Sequence, residues 1–156
     1  MGLTIGPLHM RRSIFIQAIP SRVWQEFTSF ERINAWFGHG HQLHKFEPRV
    51  GGTVDLSIEN DMGIDACEDG RVHFVGEVLI VEPEREVSFK TDWQPKPMLV
   101  PSLWTMRLTP VYDGTLVEIF DHGYERFGAG AADYLQGTEE GWDIKHLKVL
   151  RAIIEN

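Results

Sequence analysis

Two titratable residues stand where an apolar surface would alter their chemistry. Asp121 follows Val117 and Ile119 on one face of an alternating stretch. A carboxyl carried inward with them loses solvation, keeps its proton to higher pH and becomes a candidate general acid or base. His146, one helical turn beyond Trp142, is the natural partner. The plainer readings are a solvated carboxylate at the rim and a histidine at the helix edge. Large rings recur on the same faces: Phe74, Phe89, Trp93, Trp104 and Trp142, with five tryptophans in 156 residues. An aromatic-lined pocket for a flat or fatty ligand would be walled by those rings, with Met106, Val117, Ile119 and Thr138 beside them and Asp121 or His146 as polar anchor. Rings that simply fill space under a curved sheet are the alternative.

Other polar clusters carry less. His39, His41 and His44 spell H-G-H-x-x-H, and zinc sites do use clustered imidazoles. In a strand, however, His41 and His44 face opposite ways, and no Cys or carboxylate falls at a matching interval, so no metal is expected. Asp61, Asp65, Glu68 and Asp69 lack the spacing of a calcium loop and read as a solvated hairpin tip. His73 is expected to point outward. There is no P-loop, dinucleotide fingerprint, nucleophile elbow or HExxH motif, so no cofactor is expected. No Ser, Cys or Lys is spaced to a base as an activated nucleophile, which favours binding over catalysis.

The elements that would position these residues are legible from periodicity. Val54, Leu56 and Ile58 alternate with Thr53, Asp55, Ser57 and Glu59, the period of a half-buried strand. Val87, Phe89, Thr91 and Trp93 do the same. Phe74, Gly76, Val78 and Ile80 give one face of another strand; Trp104, Met106 and Leu108 give the next. Val117 and Ile119 follow through the turn Val111-Tyr112-Asp113-Gly114, whose Asp-Gly is a hairpin signal. Ile14, Ile16 and Ala18 suggest a first strand, and His41 to Glu47 a weaker one. Pro20 suits the first turn of a short helix bearing Val23, Trp24 and Phe27. Ser29 can cap a second, with Ile33, Trp36 and Phe37 on one side and Gly38 at its end. A long helix is expected from about Ala129 to Ile154, with Leu135, Thr138, Trp142, His146, Val149 and Ile153 as its stripe, broadened toward its C-terminal end by Leu147, Leu150 and Ile154. Gly137 and Gly141, one turn apart, suggest that the sheet or a ligand approaches that helix closely, with tight packing the plainer reason. The antiparallel sheet needs a cover, and only this helix is long enough.

No repeat or composition shift divides residues 1–156, which read as a single domain with residues 1–9 as a loose leader. The apolar fraction of 42% and charged fraction of 24% are those of a globular chain. No apolar run approaches a membrane span, and the first residues lack a secretory pattern. Together with a lone cysteine, Cys67, this gives an expected cytoplasmic location. A net charge of −8 without clustered cations argues against nucleic acid as a partner.

The order of elements and several short motifs resemble the START-like superfamily (SRPBCC, Bet v 1-like). The motifs are Ile19-Pro20-Ser21-Arg22-Val23-Trp24, Phe30-Glu31-Arg32 leading to Ala35-Trp36-Phe37-Gly38, and Glu47-Pro48-Arg49-Val50-Gly51-Gly52. They continue with Gly76 to Pro83, Val87-Ser88-Phe89, Ser102-Leu103-Trp104-Thr105-Met106, Gly114-Thr115, His122-Gly123-Tyr124 and Gly141-Trp142. Within the superfamily the chain is most similar to the heat-shock protein 90 ATPase activator homologue-like branch. The resemblance implies an α+β helix-grip fold: a curved antiparallel sheet of six or seven strands, two short helices, and one long C-terminal helix enclosing a cavity. It fits the fold and not one function, because such folds include ligand carriers, polyketide cyclases and chaperone regulators. Binding of an apolar or aromatic small molecule is the leading expectation. A chaperone-regulating or other protein-interaction module is the second; the outward rings Phe120 and Tyr112 are compatible with a homodimer contact. A cyclase- or hydrolase-type enzyme with Asp121 as acid or base is the third. Many relatives carry a histidine or hydroxyl residue at the position of Asp121.

Overall fold

A computed structural model describes residues 8–37, 40–60, 63–98 and 100–156. β1 (His9–Ile16) is followed by α1 (Pro20–Trp24), which continues as a 3-10 turn over Gln25–Phe27, and by α2 (Phe30–Phe37). Six strands come next: β2 (His41–Phe46), β3 (Thr53–Glu59), β4 (Arg71–Glu82), β5 (Glu86–Gln94), β6 (Ser102–Val111) and β7 (Gly114–His122). A 3-10 segment over Tyr124–Gly130 leads into α3 (Ala131–Gly141); a π-helical turn, Trp142–Leu147, joins it to α4 (Lys148–Glu155). The strands form one antiparallel seven-stranded sheet in the order β1-β7-β6-β5-β4-β3-β2. The helix-grip architecture expected from the sequence is the one observed.

From β2 to β7 consecutive strands pair, β1 pairs with β7, and α1 and α2 carry the chain from the β1 edge to the β2 edge. Pro20 opens α1. Ser29 caps α2, its Oγ accepting from the Arg32 amide at 3.3 Å. The two helices are tied together at Glu26, which is buried and receives the guanidinium groups of Arg22 (2.6 Å) and Arg32 (2.9 Å). Asn34 fixes α2 to β2 by exchanging hydrogen bonds with the Leu43 main chain. At the other end of the molecule, Arg12 of β1 reaches Glu139 and Asp143 on the C-terminal helix.

The core is solid at one end and hollow at the other. Beneath the C-terminal half of the last helix, Met10, Ile16, Met106, Val117 and Ile119 close with Leu147 and Leu150, all essentially fully buried. Each such side chain contributes on the order of 1.5–3 kcal/mol. Toward β2–β5 the same face is propped by rings.

Several expectations need correction. Ile80 does not continue the inner face of β4: a bulge between Val78 and Ile80 resets the register, and Val81, opposite buried Val87, takes the inward place. The leader does not extend to His9, which lies in β1; the Leu8 amide donates to Glu125 Oε2 at 2.9 Å. Residues 1–7, Gly38, His39 and Asp61 lie outside the described residues. The long helix is not uniform: a π turn interrupts it, and its buried positions run Trp142, His146, Leu147, Leu150 and Ile154, while Val149 and Ile153 are only half-buried. Nothing approaches Gly137 or Gly141: a Cβ added at either would meet open space. Close packing does require a glycine at Gly76, where a Cβ would fall 1.7 Å from the Lys90 carbonyl oxygen.

Candidate functional site

The hollow end is a cavity of about 230 Å³ between the sheet, α2, the 124–130 segment and the last helix. The alternation of β3, β4, β5 and β6 supplies its floor. Phe89 stacks on Trp104 with ring centroids 4.7 Å apart, and Trp93 meets Phe74 edge-on at 5.4 Å. Trp142 on the last helix closes over them, 6.1 Å from Trp104 and 6.4 Å from Trp36 of α2. Ring-on-ring contacts of this kind hold their geometry without filling the centre, so the wall is rigid and the space remains.

Of the residues the sequence nominates, Phe74, Phe89, Trp93, Trp104, Asp121, Thr138, Trp142 and His146 line this cavity. Met106, Val117 and Ile119 do not. They share the inward face but sit in the solid part of the core, fully buried. Thr138 commits its hydroxyl to the Tyr134 carbonyl one turn back, at 2.9 Å. His146 is not at a helix edge: it is buried, with its ring 4.6 Å from Phe37, 4.8 Å from His41 and 4.9 Å from Trp142.

Sequence reasoning missed the other half of the wall. Trp36 and Phe37 were legible as a helical stripe but not as cavity residues. Tyr124, Arg126 and Phe127 come from the segment after β7, where no period marks them, and Tyr134 comes from α3. Gly123, in the left-handed region at φ 91°, turns the chain there. Phe127 then stacks on Tyr134 at 4.1 Å, and the Arg126 guanidinium lies over Phe127 at 4.6 Å.

The electrostatic focus is Asp121. The register Trp104↔Asp121 puts it on the inner face, as its alternation with Val117 and Ile119 requires. Burial pushes its carboxyl up to about 6, against the opposing influences of Arg126, the Tyr124 hydroxyl and Ser102. Tyr124 Oη donates to Asp121 Oδ2 at 3.2 Å. Burial, with the nearby Asp121 charge, drives that phenol's own pKa upward, so it stays a donor. Asp121 Oδ1 and Trp93 Nε1 are shielded from solvent and make no hydrogen bond of normal geometry among the described residues. An acceptor and a donor of this kind cost free energy when they stay unmatched. The arrangement can therefore hold an apolar body and satisfy a polar group at one end, or exchange a proton there near neutral pH.

Away from the cavity, His41 and His44 face opposite sides of the sheet, as the strand period requires: His41 lines the cavity, and His44 contacts Ser57 on the outer face. His73 also lies on the outer face. No described helix is long and apolar enough to cross a membrane.

Solved structures with this fold include a protein of Chromobacterium violaceum, 20% identical, with a TM-score of 0.72 and 96% of this chain and 99% of that one covered. One of Mesorhizobium loti is 23% identical, with a TM-score of 0.71 and coverage of 95% and 97%. DynU16, a protein of the dynemicin biosynthetic locus, is 20% identical, with a TM-score of 0.70 over 95% of this chain and 47% of that one. At these identities the likeness establishes the fold. No curated protein matches the chain in sequence. Residues 17–155, nearly all of the seven-stranded grip and its helix, match the family described as Activator of Hsp90 ATPase homolog 1-like protein, and the chain belongs to that family.

Proposed function

We propose that the protein binds a small apolar or aromatic molecule in the cavity between the sheet and the last helix, with Asp121 accepting a hydrogen bond from it. The observation that carries this reading is the aromatic-walled void with a shielded, unmatched carboxyl oxygen on its wall. At about 230 Å³ the space lies just below the roughly 300–1,000 Å³ of drug-sized pockets, which suits a compact ligand. Membership of a family whose fold commonly encloses ligands supports it.

Native mass spectrometry of freshly purified protein, followed by organic extraction, tests this directly. A stoichiometric small molecule is expected. If the mass is bare, 2-naphthol serves as a probe, with one-to-one binding expected and weakened at least tenfold by Leu56→Trp, which fills the void. A bare mass together with no naphthol binding up to about 1 mM, the weak limit of specific affinity, sinks the proposal.

The Asp121 carboxyl favours a second reading, acid–base catalysis on the bound molecule, because a pKa of about 6 suits proton exchange near neutral pH. Once a ligand is known, Asp121→Asn would abolish its conversion. Ligand recovered unchanged after prolonged incubation with native protein counts against catalysis and leaves the binding reading intact.

A further inference from the structure

The outer face of the sheet, remote from the cavity, gathers imidazoles and carboxylates from three strands. A bulge between Leu43 and Lys45 in β2 falls at His44, whose ring stacks on His73 of β4 with centroids 4.8 Å apart and planes at 25°. His73 Nδ1 pairs with Asp55 Oδ1 of β3 at 2.6 Å, and its Nε2 pairs with Asp69 Oδ2 at 2.7 Å. The other Asp69 oxygen accepts from the Arg71 amide at 2.9 Å, which sets the carboxylate in place at the entry to β4. One donor atom from each of His44, Asp69 and His73 lies within 4.8 Å of the others.

We propose that His44, Asp69 and His73 form a site for a divalent transition-metal ion of the zinc type, with Asp55 as a positioning residue behind His73. Two imidazoles and a carboxylate are a donor set that zinc accepts, and three protein ligands leave a fourth position for water. Asp55 on Nδ1 fixes the His73 ring with Nε2 directed at the site, as a carboxylate does behind a metal-bound histidine. The ion takes the place of the proton between His73 Nε2 and Asp69. Ligands 2.0–2.2 Å from a tetrahedral metal are about 3.3 Å apart, so the present 2.7 Å separation must widen by a fraction of an ångström. Asp69, with a side chain 43% exposed in a turn, has room to withdraw.

His44 is prepared from the other side. Ser57 Oγ accepts from Arg71 Nε at 2.6 Å and has a second lone pair for His44 Nε2–H at 2.7 Å; in that tautomer the other ring nitrogen of His44, Nδ1, keeps the lone pair that a metal needs. The Arg71 guanidinium opposes a cation here. Its Nη2 is held by the Gly40 carbonyl at 2.6 Å, and the carboxylates of Asp55 and Asp69 outnumber it. Spacing along the chain cannot show this site, because its members meet only through the β2–β3–β4 register.

The test is calorimetric titration of the whole chain with Zn²⁺, repeated with Co²⁺ and read by visible absorption. One ion per chain is expected, with a Co²⁺ spectrum of low coordination number. H44A and H73A would each weaken binding at least tenfold. D55N would weaken it about 10–100-fold while leaving the stoichiometry at one. His9 and His122, whose rings lie 5.3 Å apart and tilted by 32° elsewhere on the sheet, serve as the control pair, and H9A/H122A would bind unchanged. If an outer-face variant fails to fold, the wild type suffices: Zn²⁺ should move the ring-nitrogen resonances of His44 and His73. The proposal is overturned by no stoichiometric ion, by binding that survives H44A/H73A, by binding lost in H9A/H122A, or by ring resonances that stay put.

Discussion

The Asp121 carboxyl holds its proton to about pH 6 in the folded chain, against 3.8 when unfolded. Folded protein therefore binds more protons than unfolded protein between those values, and stability falls as pH rises through that window. The shift of about two units corresponds to roughly 3 kcal/mol, present in full below pH 4 and lost above pH 6. Asp121→Asn removes the charge and keeps the shape. Thermal melts should show the variant more stable than wild type at pH 7.5 and level with it at pH 4; an unchanged gap across that range would contradict the burial argument. This residue was legible because alternation with Val117 and Ile119 names its face. Alternation does not say where along that face the floor is filled. Met106, Val117 and Ile119 share the face yet pack solidly, because Leu147 and Leu150 cover them while rings cover Trp104. The sequence leaves His146 open between a cavity anchor and a helix-edge residue, because nothing local announces that Phe37 and His41, from other elements, will enclose it.

Among the elements, the last helix departs most from its pattern. α3 carries Gly137 and Gly141, and neither is required by a close neighbour. Each glycine costs about 1 kcal/mol relative to alanine in a helix interior. Gly137→Ala and Gly141→Ala should therefore each stabilise the fold by up to that amount, measured by urea denaturation; destabilisation would mean that the helix must bend during folding or binding. Because α3 contributes Thr138 and, just beyond its end, Trp142 to the cavity wall, the same substitutions should slow ligand exchange. Strands could be read because a period of two survives in seven or eight residues. The π turn and the 3-10 segment Tyr124–Gly130 could not, since neither leaves a periodic trace of its own and both are set by what they pack against.

Over the whole molecule, a single sheet shares one continuous core with α1, α2 and the last helix. Unfolding followed by circular dichroism and by tryptophan emission should therefore give one coincident transition. Two separated transitions would divide residues 1–156 into independent units. A ligand at one hundred times its dissociation constant should raise stability by about 2.7 kcal/mol, and by nothing in a variant whose cavity is filled. The global architecture was the most legible level, because hairpin-length links and one long helix leave few ways to cover an antiparallel face.

Four of the five tryptophans, Trp36, Trp93, Trp104 and Trp142, look into the same small space, and only Trp24 stands outside it. With Trp142 about 6 Å from both Trp36 and Trp104, excitation absorbed by one indole passes readily to the next. A single quencher entering the chamber would darken the set together and leave Trp24 glowing as a built-in reference. The chain carries its own optical gauge of occupancy, and no dye has to be attached to read it.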